Sequence, residues 1–579
     1  MKINHFPPII VAFCFVTLLY TPVLAQQFEN TFGSLANHEE PQDGKPIPNS
    51  QYIVLSNSLS YGPASRIVLT RLNSTGSVAL FATINELGSP TTAYYGNSID
   101  LELNAAGVHT GYLIAGSRST ANGRQALLIR TNTSGTVTWT KALPNFDASG
   151  NLDERGVSVE RQPNGDVILT TSGYNAVVGN YRFSVSRFNS VGTQLWSNRY
   201  YANTSGQSFE ATEACNAIRS GAETIVVTGR FWVADNSNPH SFLSCINAGT
   251  GVEIWRRSYD SGFTADAGLD VVYKPANGGS EPAALMAVGR AGLQATTLWV
   301  IRANPLNGIA STKTYAPNVF FSGFSGVAVN LDVTGTRAAI TGSIVYQPNL
   351  GTYLSGTYVM AMPFYGTELP DWAYYYASSS PQFTETHSIA QITGALAGYF
   401  VTCGSRITGS AFNDVHSIRI NSLGSTGGSG CNTEPITVIR TLQGSNAWRA
   451  FNRTPYTWTN IMPSRSTRSF AQEFCTEALL NVEERKKSQP AVGTEVQLYP
   501  NPSASGHNAI LAFELSEETP IQIRVFDLTG REIWSSSQTL EPGVQTLDLP
   551  AGQWLNGTYF VQMKAADFNQ ALKFVVSNQ

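Results

Sequence analysis

Histidines, cysteines and carboxylates set the limits of any chemistry this chain can perform. His109, His240, His387 and His416 stand apart from one another and from cysteines, without the clustered spacing of a metal site, and read as structural or surface residues. No HExxH, CxxC, GxxxxGK or GxSxG stretch occurs, so zincin, zinc-ribbon, P-loop and hydrolase-elbow chemistries have no basis here. Asp147, Ser149, Asn151 and Asp153 place oxygen atoms at alternate positions, as a calcium loop does, but Ser158 stands where the closing glutamate belongs. Calcium is the one cofactor this pattern would admit, and no other is expected. Asp266, Asp270 and Asp414 would form an acid–base pair only if folding held two carboxyls roughly 5–10 Å apart, which spacing along the chain does not decide.

The totals narrow the field further. A net charge of −4, a pI near 6.0 and only 13% charged residues leave no basic field for nucleic acid or an anionic membrane. Fifty-one glycines with 24 tyrosines and 28 phenylalanines are the composition of many short strands joined by tight turns. Residues 1–25 read as a secretory signal peptide, with Lys2, an apolar run from Ile9 to Tyr20 and a small residue at Ala25. No later apolar run is long enough to cross a bilayer as a helix, so no transmembrane segment is expected in the mature chain. Of the remaining cysteines, Cys431 and Cys475 flank a segment that a bridge would staple, whereas Cys215 and Cys245 read as small buried thiols.

The elements that must position any site come from a repeat. LIRTNTSGTVTW, ending at Trp139, recurs with variants ending at Phe81, Trp196, Trp255, Thr312 and Trp372, each a hairpin with a turn glycine. Gly76, Gly135, Gly192, Gly251, Gly308, Gly366 and Gly424 follow one another at intervals of 57–59 residues. An apolar strand closing on glycine lies about twenty residues upstream of most of them, as in Ile225–Gly229. Four strands per unit, seven times over, predict a seven-bladed β-propeller across residues 26–430 in an all-β chain. The stretch Phe28–Gly33 resembles an outgoing strand without its hairpin partner, and is expected to complete the last blade. The blade-end tryptophans read as packing devices. Tyr174, Phe231, Trp232, Tyr346 and Tyr353, near the long loops Asn175–Asn180, Ala234–Pro239 and Tyr346–Ser355, are the better candidates for ligand recognition.

Residues 431–494 read as a linker, with a short helix expected between Glu473 and Lys487. From 495 to 579 short alternating strands predict a small C-terminal β-sandwich. Its Tyr499-Pro500-Asn501-Pro502, the Asp527-Leu528-Thr529-Gly530-Arg531 turn, the strand Gly557-Thr558-Tyr559-Phe560-Val561 and the terminal strand led by Lys573 closely resemble the type A C-terminal sorting domain of Bacteroidetes type IX secretion cargo. The resemblance implies export through the type IX machinery, followed by release or anchoring on the outer surface of the outer membrane. Long-repeat propellers resembling residues 26–430 commonly precede such domains. Asn247–Trp255 also resembles one blade motif of quinoprotein propellers, but in this repeat alone, so no quinone is expected.

A surface or secreted binding module for a glycan or protein ligand is the leading expectation, and no catalytic residue is assigned. The alternative is a secreted polysaccharide hydrolase or lyase working in the central channel. Two or three carboxylates lining a deep channel would favour it.

Overall fold

The computed structural model describes the strands between residues 28 and 476 and between 496 and 577. Residues 1–27, 477–495 and short segments between strands, 144–151, 407–413 and 424–432 among them, lie outside the described residues. It forms two compact units, Met1–Glu477 and Ala478–Gln579. No α-helix occurs among the described residues, and none of the described helices is long and apolar enough to cross a membrane.

The first unit is the seven-bladed propeller. Seven antiparallel sheets follow one another, and within each we letter the strands a to d from the channel outward. The inner a strands are Glu39–Ile47, Tyr94–Leu103, Leu152–Arg161, Ser208–Arg219, Asp266–Lys274, the interrupted pair Phe321–Phe324 and Ala328–Leu331, and Gln382–Ile392. They pack on one another in cyclic order, the seventh returning to the first. The b strands are the apolar runs of the sequence. Gln51–Ser58 and Ala222–Trp232, for example, are buried on both faces because each blade is sandwiched between two others. A separate apolar cluster fills every gap between blades: Ile53, Leu69, Ile99 and Ile114 between blades 1 and 2, and Phe28, Tyr52, Phe400 and Val415 between blades 7 and 1.

Both glycine ladders have a steric origin. A β carbon on the turn glycine Gly251 would lie 2.7 Å from the Trp196 ring of the preceding blade, and one on Gly308 would lie 2.6 Å from Trp255. Both glycines also sit at positive φ, +65° and +68°. Trp196 Nε1 donates to Ala248 O (3.0 Å) and Tyr200 Oη to Gly251 O (2.7 Å), while Trp255 and Tyr259 bond blade 5 in the same way. The blade-end tryptophan is thus roofed by the next blade's turn. The second ladder serves the inner strands. A β carbon on Gly229, Gly289 or Gly342 would overlap the backbone carbonyl of Glu210, Ala267 or Ser325. At this point each uninterrupted a strand carries a β-bulge, between Gly268 and Asp270 in blade 5 and at the matching place in its neighbours.

The ring closes as the N-terminal residues predict. Phe28–Phe32 is the d strand of blade 7, antiparallel to Asp414–Asn421, with Phe28 opposite Arg419 and Phe32 opposite Val415. Thr31 Oγ1 and His416 Nδ1 lie 2.5 Å apart at this seam, and Arg419 Nε donates to Tyr52 Oη of blade 1 (2.7 Å).

The expected linker departs from its description. Between Thr433 and Thr476 the backbone forms seven short strands, and each adds a fifth, outermost strand to one blade: 6, 5, 4, 3, 2, 1 and finally 7. Local sequence did not signal this belt, because its two- to six-residue strands are specified by the edges they meet and not by an apolar alternation of their own. The expected helix begins instead as strand Gln472–Thr476, and its remaining residues lie outside the described ones. The expected long loop Tyr346–Ser355 is largely strand: Arg337–Asn349 and Thr352–Pro363 pair down to Asn349 opposite Thr352. Cys431 and the Cys475 side chain lie outside the description, while Cys215 and Cys245 are free thiols.

The second unit is a β-sandwich of a three-stranded sheet and a five-stranded sheet enclosing Leu511, Phe513, Ile523, Val525, Val561 and Phe574. Motif residues distant in sequence meet in it. Asn501 Nδ2 donates to Lys573 O (2.7 Å) and Asn501 Oδ1 accepts from Val575 N (3.0 Å), so the YPNP segment pins the last strand. Asp527 accepts from Arg531 N (3.1 Å) and pairs with its guanidinium (3.1 Å), closing the turn. Tyr559, opposite both Asp527 and Phe574, donates to Leu555 O (2.6 Å). Gly557 faces Val576; Gly530 lies outside the described residues.

Candidate functional site

The bulge of the inner strands builds the site. The unpaired residue it leaves in each blade turns toward the axis, and Gln42, Asn97, Val157, Thr212, Leu269 and His387, with Val327 at the break in blade 6, all line a central cavity of about 590 Å³. One and three residues beyond them stand five carboxylates that also border or overlook the cavity: Asp43, Asp100, Glu160, Glu213 and Asp270. Lys45 stands among them as a cation, its ammonium 3.7 Å from Asp43.

Three of these carboxylates stitch adjacent blades. Asp43 accepts from Gly44 N (2.7 Å) and from Ile99 N of blade 2 (3.0 Å). Asp100 accepts from Leu101 N and Arg161 N of blade 3 (both 2.8 Å), and Asp270 from Val271 N (2.6 Å) and Val329 N of blade 6 (2.8 Å). Each therefore satisfies a backbone donor that the splayed inner strands would otherwise leave unpaired. Glu160 and Glu213 are held more loosely. The former accepts from Asn216 Nδ2 (3.2 Å), the latter from Ala214 N (3.0 Å).

Crowding of like charge in a desolvated channel moves their protons. Burial, reinforced by Asp270, pushes the Glu213 carboxyl up to about 8. Burial raises Asp270 to about 7 despite its backbone donors, and raises Asp100 and, more strongly, Glu160. Burial favours loss of the Lys45 proton, but Asp43, Asp100, Glu160 and Glu213 outweigh it and hold the ammonium above its ordinary range. Burial lowers His387 to about 4, so its imidazole is neutral. Glu213 and Asp270 therefore both exchange protons near neutral pH.

Aromatic side chains lie beside the Arg155 and Glu210 end of the cavity, and none of them is among its lining residues. Tyr174 and Trp232, at the outer ends of strands Val167–Asn175 and Ala222–Trp232, flank Tyr181. The Tyr174 and Tyr181 centroids are 4.8 Å apart, and Tyr181 and Trp232 stack at 5.0 Å with 15° between planes. All three are partly exposed. Arg155 and Glu210, which line the cavity at this end, exert their charges on Tyr181, and Glu210 pairs with Arg230 at 3.1 Å. Of the five expected recognition residues, Tyr174 and Trp232 are thus brought together across blades 3 and 4. Phe231 is a correction: strand alternation turns it the opposite way from Trp232, fully buried and stacked on Phe209 at 4.5 Å. The side chains of Tyr346 and Tyr353 lie outside the description, as do Asp147, Ser149 and Asn151 of the calcium candidate. Asp153 sits 3.7 Å from both Arg124 and Arg155, and among the described residues no group of three or more histidine, cysteine or carboxylate side chains is placed to hold a metal ion.

The other candidates scatter. Asp266 is bonded to Ser261 and Asp414 lies near Glu39 at the blade 7–1 seam; only Asp270 reaches the channel. Sequence reasoning missed Tyr181 and four of the five carboxylates. They hold fixed offsets from the bulge, but the a–b turns vary in length, Arg219 to Ala222 in blade 4 against Lys274 to Ala284 in blade 5, so spacing from the visible glycines is not constant.

The two units define an all-β protein, a propeller joined in sequence to a small β-sandwich. Residues 497–577 match the family described as the secretion system C-terminal sorting domain, and this match supports a type IX secretion cargo. No curated protein matches it. Solved structures similar to it include a fungal alcohol oxidase of the AA5 family in complex with copper, at 10% identity over 93% of this chain and 100% of that one, with a TM-score of 0.20. Another is PorZ, a surface component of the type IX secretion system of Porphyromonas gingivalis, at 10% identity over 95% and 100%, with a TM-score of 0.13. Both TM-scores are too low to bear on the chemistry of this chain.

Proposed function

We propose that this protein is delivered to the cell surface or the medium as a binding module, and that its propeller recognises a glycan on the aromatic series beside Arg155 and Glu210, between blades 3 and 4. The observation that carries this reading is the Tyr174–Tyr181–Trp232 series beside Arg155 and Glu210. Flat, partly exposed rings next to charged hydrogen-bonding groups suit the apolar faces and hydroxyls of a sugar. Screening the full exported chain and its Trp232→Ala variant on a glycan array tests it. Binding lost in the variant supports the reading; equal binding by both, or none by either, overturns it.

A second reading is favoured by Glu213 and Asp270. Two neighbouring carboxyls in a channel, both with protons held near neutrality, are the raw material of general acid–base catalysis on a polysaccharide. Against it stands the engagement of both Asp270 oxygens by backbone donors. Release of reducing ends from any bound polysaccharide, abolished by Glu213→Gln, would replace the first reading with this one.

A further inference from the structure

The belt has a consequence for how the ring is held shut. Blades 1 to 6 each take strands a to d from one continuous run of chain, so each closes by local hairpins. Blade 7 does not. Its d strand is Phe28–Phe32, five residues from the other end of the propeller, paired inward with Asp414–Asn421. Left there, it would be a short edge strand at the one seam that depends on a long-range closure, and short edges fray. The last belt strand, Gln472–Thr476, covers it: Phe28 is opposite Thr476, Glu29 opposite Cys475 and Thr31 opposite Gln472. The N-terminal strand is therefore laddered on both sides.

The rest of the belt treats the other six blades alike. Val438–Gln443 runs antiparallel to Ala310–Pro317, Phe451–Pro455 to Gln194–Ala202 and Pro463–Thr467 to Val78–Glu86. An antiparallel d strand directs alternate N–H groups outward, where they form a template for another chain. The belt occupies that template on every blade in turn, against the order in which the blades were made, and reaches the seam last. At about 3.3 Å per residue, a segment as long as 433–476 can reach at most roughly 145 Å, enough to encircle a disc of roughly 23 Å radius.

We propose that residues 433–476 are a closing strap. Synthesised after all the blades, it locks the N-terminal strand into blade 7 and denies the seven blade edges to other copies of the chain. The strap makes the stability of the N-terminal seam depend on a segment more than 400 residues away in sequence.

Amide hydrogen exchange on the intact full-length protein tests this directly. Slow exchange is expected at consecutive amides through Phe28–Thr31, Ala82–Ile84 and Asn198–Tyr200, where the inner neighbour and the strap both pair with the strand. Rapid exchange at alternate amides of these strands would overturn the proposal. A milder perturbation than deletion, Gln472→Pro with Glu473→Pro, removes donors only at the last strap strand. It should speed exchange in Phe28–Phe32 roughly tenfold or more while leaving Gln194–Ala202 unchanged; unchanged exchange at Phe28–Phe32 refutes the lock. Light scattering on a variant lacking 433–476 reads the second half of the proposal: concentration-dependent association supports it, and a monodisperse monomer refutes the edge-shielding role.

Discussion

Replacing Gly289 with alanine probes the contact on which the channel depends. A β carbon there would overlap the Ala267 carbonyl oxygen and lie 2.8 Å from its carbon and 3.1 Å from the Gly268 α carbon. All three are backbone atoms of the inner strand, so no flexible side chain can swing aside. Strand Asp266–Lys274 must retreat, and with it the bulge that aims Leu269 and Asp270 at the axis and the Asp270 bond to Val329 of blade 6. Overpacking of this kind costs about 1–3 kcal/mol, and losing a charged hydrogen bond adds about 1.5–3 kcal/mol, so a destabilisation of roughly 3–5 kcal/mol is expected. Gly221→Ala is the matched control. It lies at φ +81° in the a–b turn of blade 4, and nothing stands within 4 Å of the added carbon. Its cost is the left-handed backbone alone, about 1–2 kcal/mol. Both variants and the parent would be unfolded in urea, comparing midpoints at constant slope. If Gly289→Ala costs no more than Gly221→Ala, the account of the second glycine ladder is wrong.

Deleting residues 26–34 should lower the melting temperature of the propeller, since it removes both ladders of the Phe28–Phe32 strand and the Thr31–His416 contact; an unchanged melting temperature would refute the closure. Because Glu213 and Asp270 bind protons more tightly folded than unfolded, propeller stability should fall as pH rises from about 4 toward 8 and level off above, each group losing about 1.4 kcal/mol per pH unit in its own window before coupling is discounted. Urea midpoints across this range check it, and a Glu213→Gln variant should flatten the profile. Asn501→Ala strips two bonds from the last strand of the sorting domain and should destabilise that unit by about 1–2 kcal/mol and reduce surface delivery; normal delivery of the variant would detach the motif from export.

The sequence by itself determined the repeat, the number of blades, the completing role of Phe28–Phe32 and the identity of the sorting domain. All four are local patterns: a turn that needs glycine, a strand buried on both faces, motifs in fixed order. Tertiary structure decided the rest, because those properties arise between elements. Trp196 is a packing residue on account of Gly251 in the next blade, and Asn501 matters through Lys573 and Val575. The channel carboxylates converge only once six bulges and the break in blade 6 face one axis, and variable a–b turns hide their offsets of one and three residues. Tyr174 and Trp232 approach through Tyr181, which no loop-length argument singled out. The strap was illegible for the most general reason: a strand recruited to an existing edge needs only free backbone groups, and backbone groups leave no mark in a sequence.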